Sequence, residues 1–286
     1  MPTATIDGIP TRYEILGDGP PLLMYAPGGF NAVLENWRVQ GVYAKIKLLD
    51  HLPKKYACIL FDRRECGQSG GRVEAVTWAD YVAQGKGLLE HLKIERAHLL
   101  GGCMGCCPVA AFGVMHPQMV MSMVLWWPVG GAKYRIASHR RFEAHLAFLR
   151  ERGLDAVVAV ATNEGKPFGG DPRGGPWASV IRRESDFAAA YVRQDVEAYE
   201  RTVLAMMQQL FDRDTAPGAE PEDLMSVDVP ALVVPGSDDS HATSAARYLH
   251  ECLPKSEYWD IPVAMQTEET APSHLLQFIE RAGVLA

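Results

Sequence analysis

The stretch Ala97–Pro108, A-H-L-L-G-G-C-M-G-C-C-P, constrains this chain more than any other. A short apolar run, His98-Leu99-Leu100, meets a glycine pair and then Cys103, Met104 and Gly105. The small residues Cys106, Cys107, Pro108, Ala110 and Ala111 follow, as at the start of a buried helix. A strand entering a helix through a G-x-C-x-G turn has the geometry of a nucleophile elbow. So sharp a turn crowds the backbone, and Gly101 and Gly105 tolerate the close approach. Pro108 falls in the first helical turn, where its missing N–H costs nothing. Such a turn lifts Cys103 out of the sheet and aims a helix N-terminus at its sulfur, which lowers a thiol pKa. Cys103 is the candidate nucleophile. A buried structural cysteine and a redox C-x-x-C pair with Cys106 are the alternatives. No second cysteine pair stands at zinc-ligand spacing.

Totals narrow the classes. A chain of 286 residues accommodates one large α/β domain, or a core domain with an insertion. Net charge is −7 and no basic run occurs, so no nucleic-acid partner is expected. No apolar segment is long enough to span a bilayer, so no membrane partner is expected either. The opening Met1-Pro2-Thr3-Ala4 lacks a signal peptide's charged and apolar regions. With six unevenly spaced cysteines, read as reduced thiols, that makes a cytoplasmic location the expectation.

Along the chain, Ala4–Ile6 and Thr11–Leu16 read as a hairpin around Asp7-Gly8. The runs Pro21–Ala26, Ala57–Phe61, His98–Leu100, Met121–Trp126 and Ala231–Val234 are apolar throughout, as in strands buried on both faces. A last strand is expected over Tyr258–Ile261. Helical patterns fall between them, near Trp37–Leu49, Trp78–Leu92, Cys106–His116, Thr243–Cys252 and Ser273–Arg281. Alternation of this kind means a mostly parallel central sheet with helices on both faces. Functional groups should then gather at the carboxyl ends of the strands.

One block breaks the alternation. From Gly130 to about Glu222 no buried strand occurs, only helix-like runs (Arg140–Arg152, Asp186–Phe211) around a Gly/Pro-rich middle, Gly165–Trp177. The expected organisation is a core domain of residues 1–129 and 223–286, with 130–222 inserted as a helical cap. The acidic stretch Asp214–Asp223 would be the return linker.

With these pieces placed, the chain resembles the α/β-hydrolase family from about Pro21 to Ile279. Four motifs carry the resemblance: Pro27-Gly28-Gly29-Phe30 with Trp37 beyond it, Phe61–Gly70 (F-D-R-R-E-C-G-Q-S-G), the elbow, and Pro235-Gly236-Ser237-Asp238-Asp239. The first is similar to the family's oxyanion loop. Counting back from Trp37 gives the Phe30 N–H as the expected donor beside that of Met104, with Gly29 next. The last implies that Asp238 or Asp239 is the triad acid. The fold implied is an α/β-hydrolase fold with an inserted helical cap.

Three departures sharpen the picture. Cysteine stands where most of the family has serine, which resembles the dienelactone-hydrolase branch. Glu65 replaces a glycine of the second motif, either as a solvated loop carboxylate or as a group at the substrate. The loop Pro262–Pro272, where the family's catalytic histidine normally sits, has none. Of nine histidines, His241 is best placed, directly after Asp238-Asp239-Ser240 at a strand's carboxyl end; His274 is second.

The resulting expectation is a cofactor-free and metal-free hydrolase of an activated carbonyl (ester, lactone, thioester or diketone). Cys103 attacks, and His241 with an aspartate moves protons. Trp126, Trp127, Tyr134, Phe168 and Trp177 suggest a small apolar or aromatic substrate, with Trp127 and Glu65 in contact with it. A homodimer is possible. Lyase, isomerase or dehydratase chemistry on the same scaffold, and a non-catalytic small-molecule receptor, are the rival expectations.

Overall fold

A computed structural model describes residues 1–285. Its eight strands are β1 (Thr3–Ile6), β2 (Ile9–Leu16), β3 (Pro21–Tyr25), β4 (Ala57–Phe61), β5 (Ala97–Gly102), β6 (Val120–Trp126), β7 (Ala231–Val234) and β8 (Ser256–Tyr258). They form one sheet in the order β1-β2-β4-β3-β5-β6-β7-β8. β1 and β2 pair antiparallel, as do β2 and β4, and every later pairing is parallel. This is an α/β-hydrolase fold.

The central strands explain the apolar runs. Every residue of β5 and β7 is buried, because helices cover the sheet on both faces. Burying each of their leucines and valines contributes roughly 1.5–3 kcal/mol before entropic costs. The helix Trp78–His91 opens on a capping box in which the Thr77 hydroxyl accepts from the Asp80 N–H and the Asp80 carboxylate accepts from the Thr77 N–H.

Three boundaries differ from the sequence expectation. The last strand covers Ser256–Tyr258 rather than Tyr258–Ile261, since pairing with β7 ends at Tyr258. The expected helix Trp37–Leu49 is three short ones, Asn36–Val39, Gly41–Ile46 and Leu48–His51. Extended Gln40 separates the first two, and left-handed Lys47 separates the last two. Between β6 and β7 lie helices only: Ala132–Asn163, Ala178–Arg183, Ser185–Val192, Val196–Leu210 and the short Pro221–Leu224. The longest bends at Gly153, whose φ of 76° is not helical. The expected single helix Asp186–Phe211 is broken before Asp195, whose side chain caps the next helix by accepting from the Ala198 N–H.

Candidate active site

β5 ends at Gly102, and Cys103 turns out of it with φ of 55°, a left-handed conformation that a non-glycine residue adopts only under constraint. Space explains the flanking glycines. A Cβ on Gly101 would lie 2.4 Å from the Gly105 carbonyl oxygen, and one on Gly105 would lie 2.4 Å from that of Tyr25. The chain then continues through one 3-10 turn into the helix Cys106–Met115. Cys103 is 9% exposed.

His241 stands opposite. Its loop leaves β7 and is pinned at Ser240, whose carbonyl accepts from the Gly130 N–H at 3.0 Å. Asp238 organises this loop. Its Oδ1 accepts from the Ser240 N–H (2.8 Å) and the His241 N–H (3.0 Å), and its two carboxylate oxygens lie 2.8 and 2.9 Å from His241 Nδ1. Nε2 is buried with no hydrogen-bond partner of ordinary geometry, and the Cys103 thiol is the neighbour that acts on it most strongly. Asp239 takes no part: it turns outward to Lys133 at 2.7 Å, with both side chains exposed. The expectation of either aspartate thus narrows to Asp238. His274, the second choice for the base, lies flat against Trp259 with ring centroids 4.3 Å apart.

Thiol and imidazole shift each other. Burial alone would raise the Cys103 pKa, but the hydrogen bond and charge of His241 overcome this, and backbone hydrogen bonds from Gly28 and Met104 add to them, so it lies below the ordinary value. Burial alone would lower the His241 pKa, but Cys103 first and Asp238 second raise it. Both shifts favour a thiolate–imidazolium pair, and the two groups titrate as a unit. Asp238 follows the same logic, with burial outweighed by His241, and lies below the usual carboxylate range.

The expected backbone donors Phe30, Gly29 and Met104 all line the cavity over Cys103. Within the loop 28–30, the Gly28 backbone is the part that helps to lower the Cys103 pKa. Gly28 has φ of 115°, and a Cβ there would meet the Asn31 carbonyl and the Asn36 side chain at 2.8 and 2.9 Å. Asn36 was not legible as a site residue, yet its Nδ2 donates to the carbonyls of Pro27 (2.7 Å) and Asn31 (2.6 Å). The Pro27 carbonyl belongs to the same peptide as the Gly28 N–H, so Asn36 fixes that donor's direction. The Gly29 carbonyl accepts from Arg63, and the Phe30 ring packs on Phe142 and Phe168.

A cavity of about 280 Å³ lies over the sulfur. Cys103, His241, Phe30, Tyr134, Arg141 and Phe211 are among its walls, so the helices after β6 roof it. Glu65 is absent from that lining and is not solvated either. It is 1% exposed and paired with Arg64 Nε at 2.9 Å. Burial raises its pKa to about 7 against the pull of Arg64. The expectation that it touches substrate fails because its loop folds inward, with the Glu65 N–H held by the Gly70 carbonyl at 2.9 Å. Trp127 is also outside the lining. Its ring instead packs against His241, centroids 5.3 Å apart. Trp126, Trp177 and Phe168 are interior packing, and of the five aromatic residues expected near the substrate Tyr134 alone lines the cavity. Among the described residues no cluster suited to a metal ion occurs, and no helix is long and apolar enough to cross a membrane.

Comparison with known proteins agrees with this architecture. Residues 21–138 match the family model described as the alpha/beta hydrolase fold. The dihydrolipoyllysine-residue acetyltransferase component of the acetoin cleaving system from Cupriavidus necator is 32% identical over 127 residues, 44% of this chain, but this chain spans only 32% of that protein's length. The 2-hydroxy-6-oxo-6-(2'-aminophenyl)hexa-2,4-dienoic acid hydrolase of Metapseudomonas resinovorans is 25% identical over 236 residues, 81% of this chain and 72% of that one. The crystal structure of the enol-lactonase from Burkholderia xenovorans LB400 superposes with a TM-score of 0.62 at 19% identity, covering 98% of this chain and 100% of that one. The family model thus matches residues 21–138, and the superposition over nearly the whole length shows that the chain has the α/β-hydrolase fold.

Proposed function

We propose that this protein is a hydrolase of small activated carbonyl compounds that works through Cys103 as a covalent nucleophile. The observation that carries the reading is the line from Asp238 through His241 to Cys103, with the backbone of Gly28 and Met104 turned to the same sulfur. The thiolate adds to the carbonyl carbon, and the N–H groups of Gly28 and Met104 hold the developing oxyanion. Collapse expels the leaving group, which takes its proton from the His241 imidazolium, and a thioester remains. His241, now neutral, draws a proton from water, and the hydroxide cleaves the thioester to the acid and the thiolate, which restores the thiolate–imidazolium pair. Asp238 holds the imidazole's tautomer throughout.

Substrate class follows from the walls. Phe30, Tyr134 and Phe211 suit an apolar or aromatic body, and the helices of 130–222 act as a cap that keeps water from it. Arg141 also lines the cavity, and forms no ion pair among the described residues. Its charge suits a substrate carboxylate, in keeping with the dienoic acid in the name of one relative. An Arg141→Met variant should then raise KM for such an acid and leave KM for a neutral ester unchanged.

The test is a screen of lactones, enol esters and thioesters followed by quenched intact-mass analysis. The parent protein should accumulate an acyl adduct on Cys103, and Cys103→Ala should lose both adduct and turnover while keeping the parent Tm. Full turnover in that variant would end the proposal.

A further inference from the structure

The loop Pro262–Pro272 lacks the family's histidine, but one of its residues is buried at the site all the same. Gln266 is 2% exposed. Its Oε1 accepts from Trp127 Nε1 at 2.7 Å, and its Nε2 donates to the Pro235 carbonyl at 2.9 Å. Pro235 is the first residue beyond β7, the root of the loop that carries Asp238 and His241. Trp127 is the first residue beyond β6, and its N–H donates to the Val234 carbonyl at 2.8 Å. It then turns with φ of 55°, so that its ring meets the imidazole of His241. No slack exists between them: a Cβ on Gly236 would lie 2.6 Å from His241 Cβ and 3.0 Å from the Trp127 ring.

We infer that Gln266 is a positioning residue, which locks the Trp127 ring as a wall behind His241 and so holds a base supplied from the β7 loop in line with Cys103. The inference rests on the reading of His241 as the partner of Cys103. Acid and base here share one short loop, three residues apart, and such a loop needs a support that two separate loops would give each other. A buried indole N–H needs an acceptor and the Pro235 carbonyl a donor, and a primary amide offers both at once. Glutamate would set an oxygen against that carbonyl, and methionine would leave both groups unpaired. The charged and titratable groups that face the imidazole are Cys103 from the elbow and Asp238 from its own loop, while Trp127 and Gly236 are neutral. The proton balance of the thiol therefore reports how well the imidazole is held.

The experiment is the rate of Cys103 alkylation by iodoacetamide against pH, followed by intact mass in the parent, Gln266→Met, Trp127→Phe and His241→Ala. Gln266→Met should move the midpoint of the profile upward by half a pH unit or more with a circular-dichroism spectrum like the parent's. Trp127→Phe keeps a ring behind the imidazole and loses the tether, so a smaller shift in the same direction is expected. It also tests the inference if Gln266→Met fails to fold. Parent-like profiles in whichever of these two variants fold would overturn the inference, leaving Gln266 as packing. A parent-like profile in His241→Ala would instead overturn the Cys103–His241 pairing and this inference with it.

Discussion

His145, in the helices between β6 and β7, and His241, in the loop after β7, are both withdrawn from water, and their imidazoles are pushed in opposite directions. His145 is fully buried, with Nε2 2.6 Å from the Tyr199 hydroxyl, which in turn meets the hydroxyl of Tyr191. Its neighbours are neutral, so burial dominates and lowers its pKa to about 4. His98 repeats the pattern within β5: Nδ1 lies 2.8 Å from the Ser122 hydroxyl, and burial with the charge of Arg96 lowers its pKa to about 4. His241 has a thiol on one side and a carboxylate on the other, and ends above its ordinary value. Burial fixes how much a neighbouring charge matters, and the identity of the neighbour fixes the sign. A hydroxyl partner leaves a buried histidine neutral, whereas two acidic partners suit His241 to the proton-carrying role proposed for it.

The comparison breaks most visibly at His241 itself. On the proposed pairing, His241→Ala removes the cation that favours the buried thiolate, so the midpoint for Cys103 alkylation should rise above that of the parent. Turnover should fall by about 10²–10⁴-fold, the usual worth of a general acid–base group. The measurement is the pH profile of alkylation beside single-turnover rates, and a profile that stays in place would mean that burial and the helix N-terminus alone set the thiol.

Asp238→Asn tests the second acidic neighbour and should cost less, about ten- to a hundredfold in turnover. The amide can still accept from the Ser240 and His241 N–H groups, so the loop keeps its shape while the charge on Nδ1 is lost. The falling limb of the pH–rate profile, set by the imidazolium, should move to lower pH. An unmoved limb would assign the whole effect on His241 to Cys103.

The structural histidines give the opposite sign. A group whose folded pKa lies below its unfolded value contributes stability above the unfolded pKa, and loses it as pH falls toward the folded one. His98 and His145 therefore withdraw stability between about pH 6.5 and 4, on the order of 3 kcal/mol each at the lower end. Urea melts at pH 7 and pH 4.5 should show that loss, and His145→Gln should reduce it. The same comparison with His241→Ala should show no such reduction.

Local chemistry was legible in the sequence and long-range chemistry was not. The elbow follows from glycines two residues either side of Cys103, and Asp238 with His241 from a three-residue spacing at the end of an apolar run. The strands were readable because they are buried on both faces, and the bend at Gly153 could be found only where the helix actually turns. Gly28 and Gln266 act through partners distant in sequence, as when Gln266 meets Trp127 across 139 positions. Glu65 misled for the same reason: its burial depends on a loop closing over Arg64, and charge in a glycine-rich stretch reads as exposure. Arg141 sits beside Arg140 on what looks like a solvated face, and one helical step turns it into the cavity.

The smallest expected effect is the sharpest control. Asp239 is adjacent to Asp238, carries the same charge and stands the same short way from the histidine in sequence, so the two are indistinguishable on paper. In space Asp239 meets exposed Lys133, where water screens the pair and an ion pair contributes little. Asp239→Asn should leave Tm, turnover and the alkylation profile of Cys103 as in the parent. If net negative charge near the imidazole were what mattered, both variants would lower turnover alike. If the directed contact to Nδ1 matters, only Asp238→Asn will, and the division between structural and proton-carrying histidines then rests on which atom touches the ring rather than on the local density of acid.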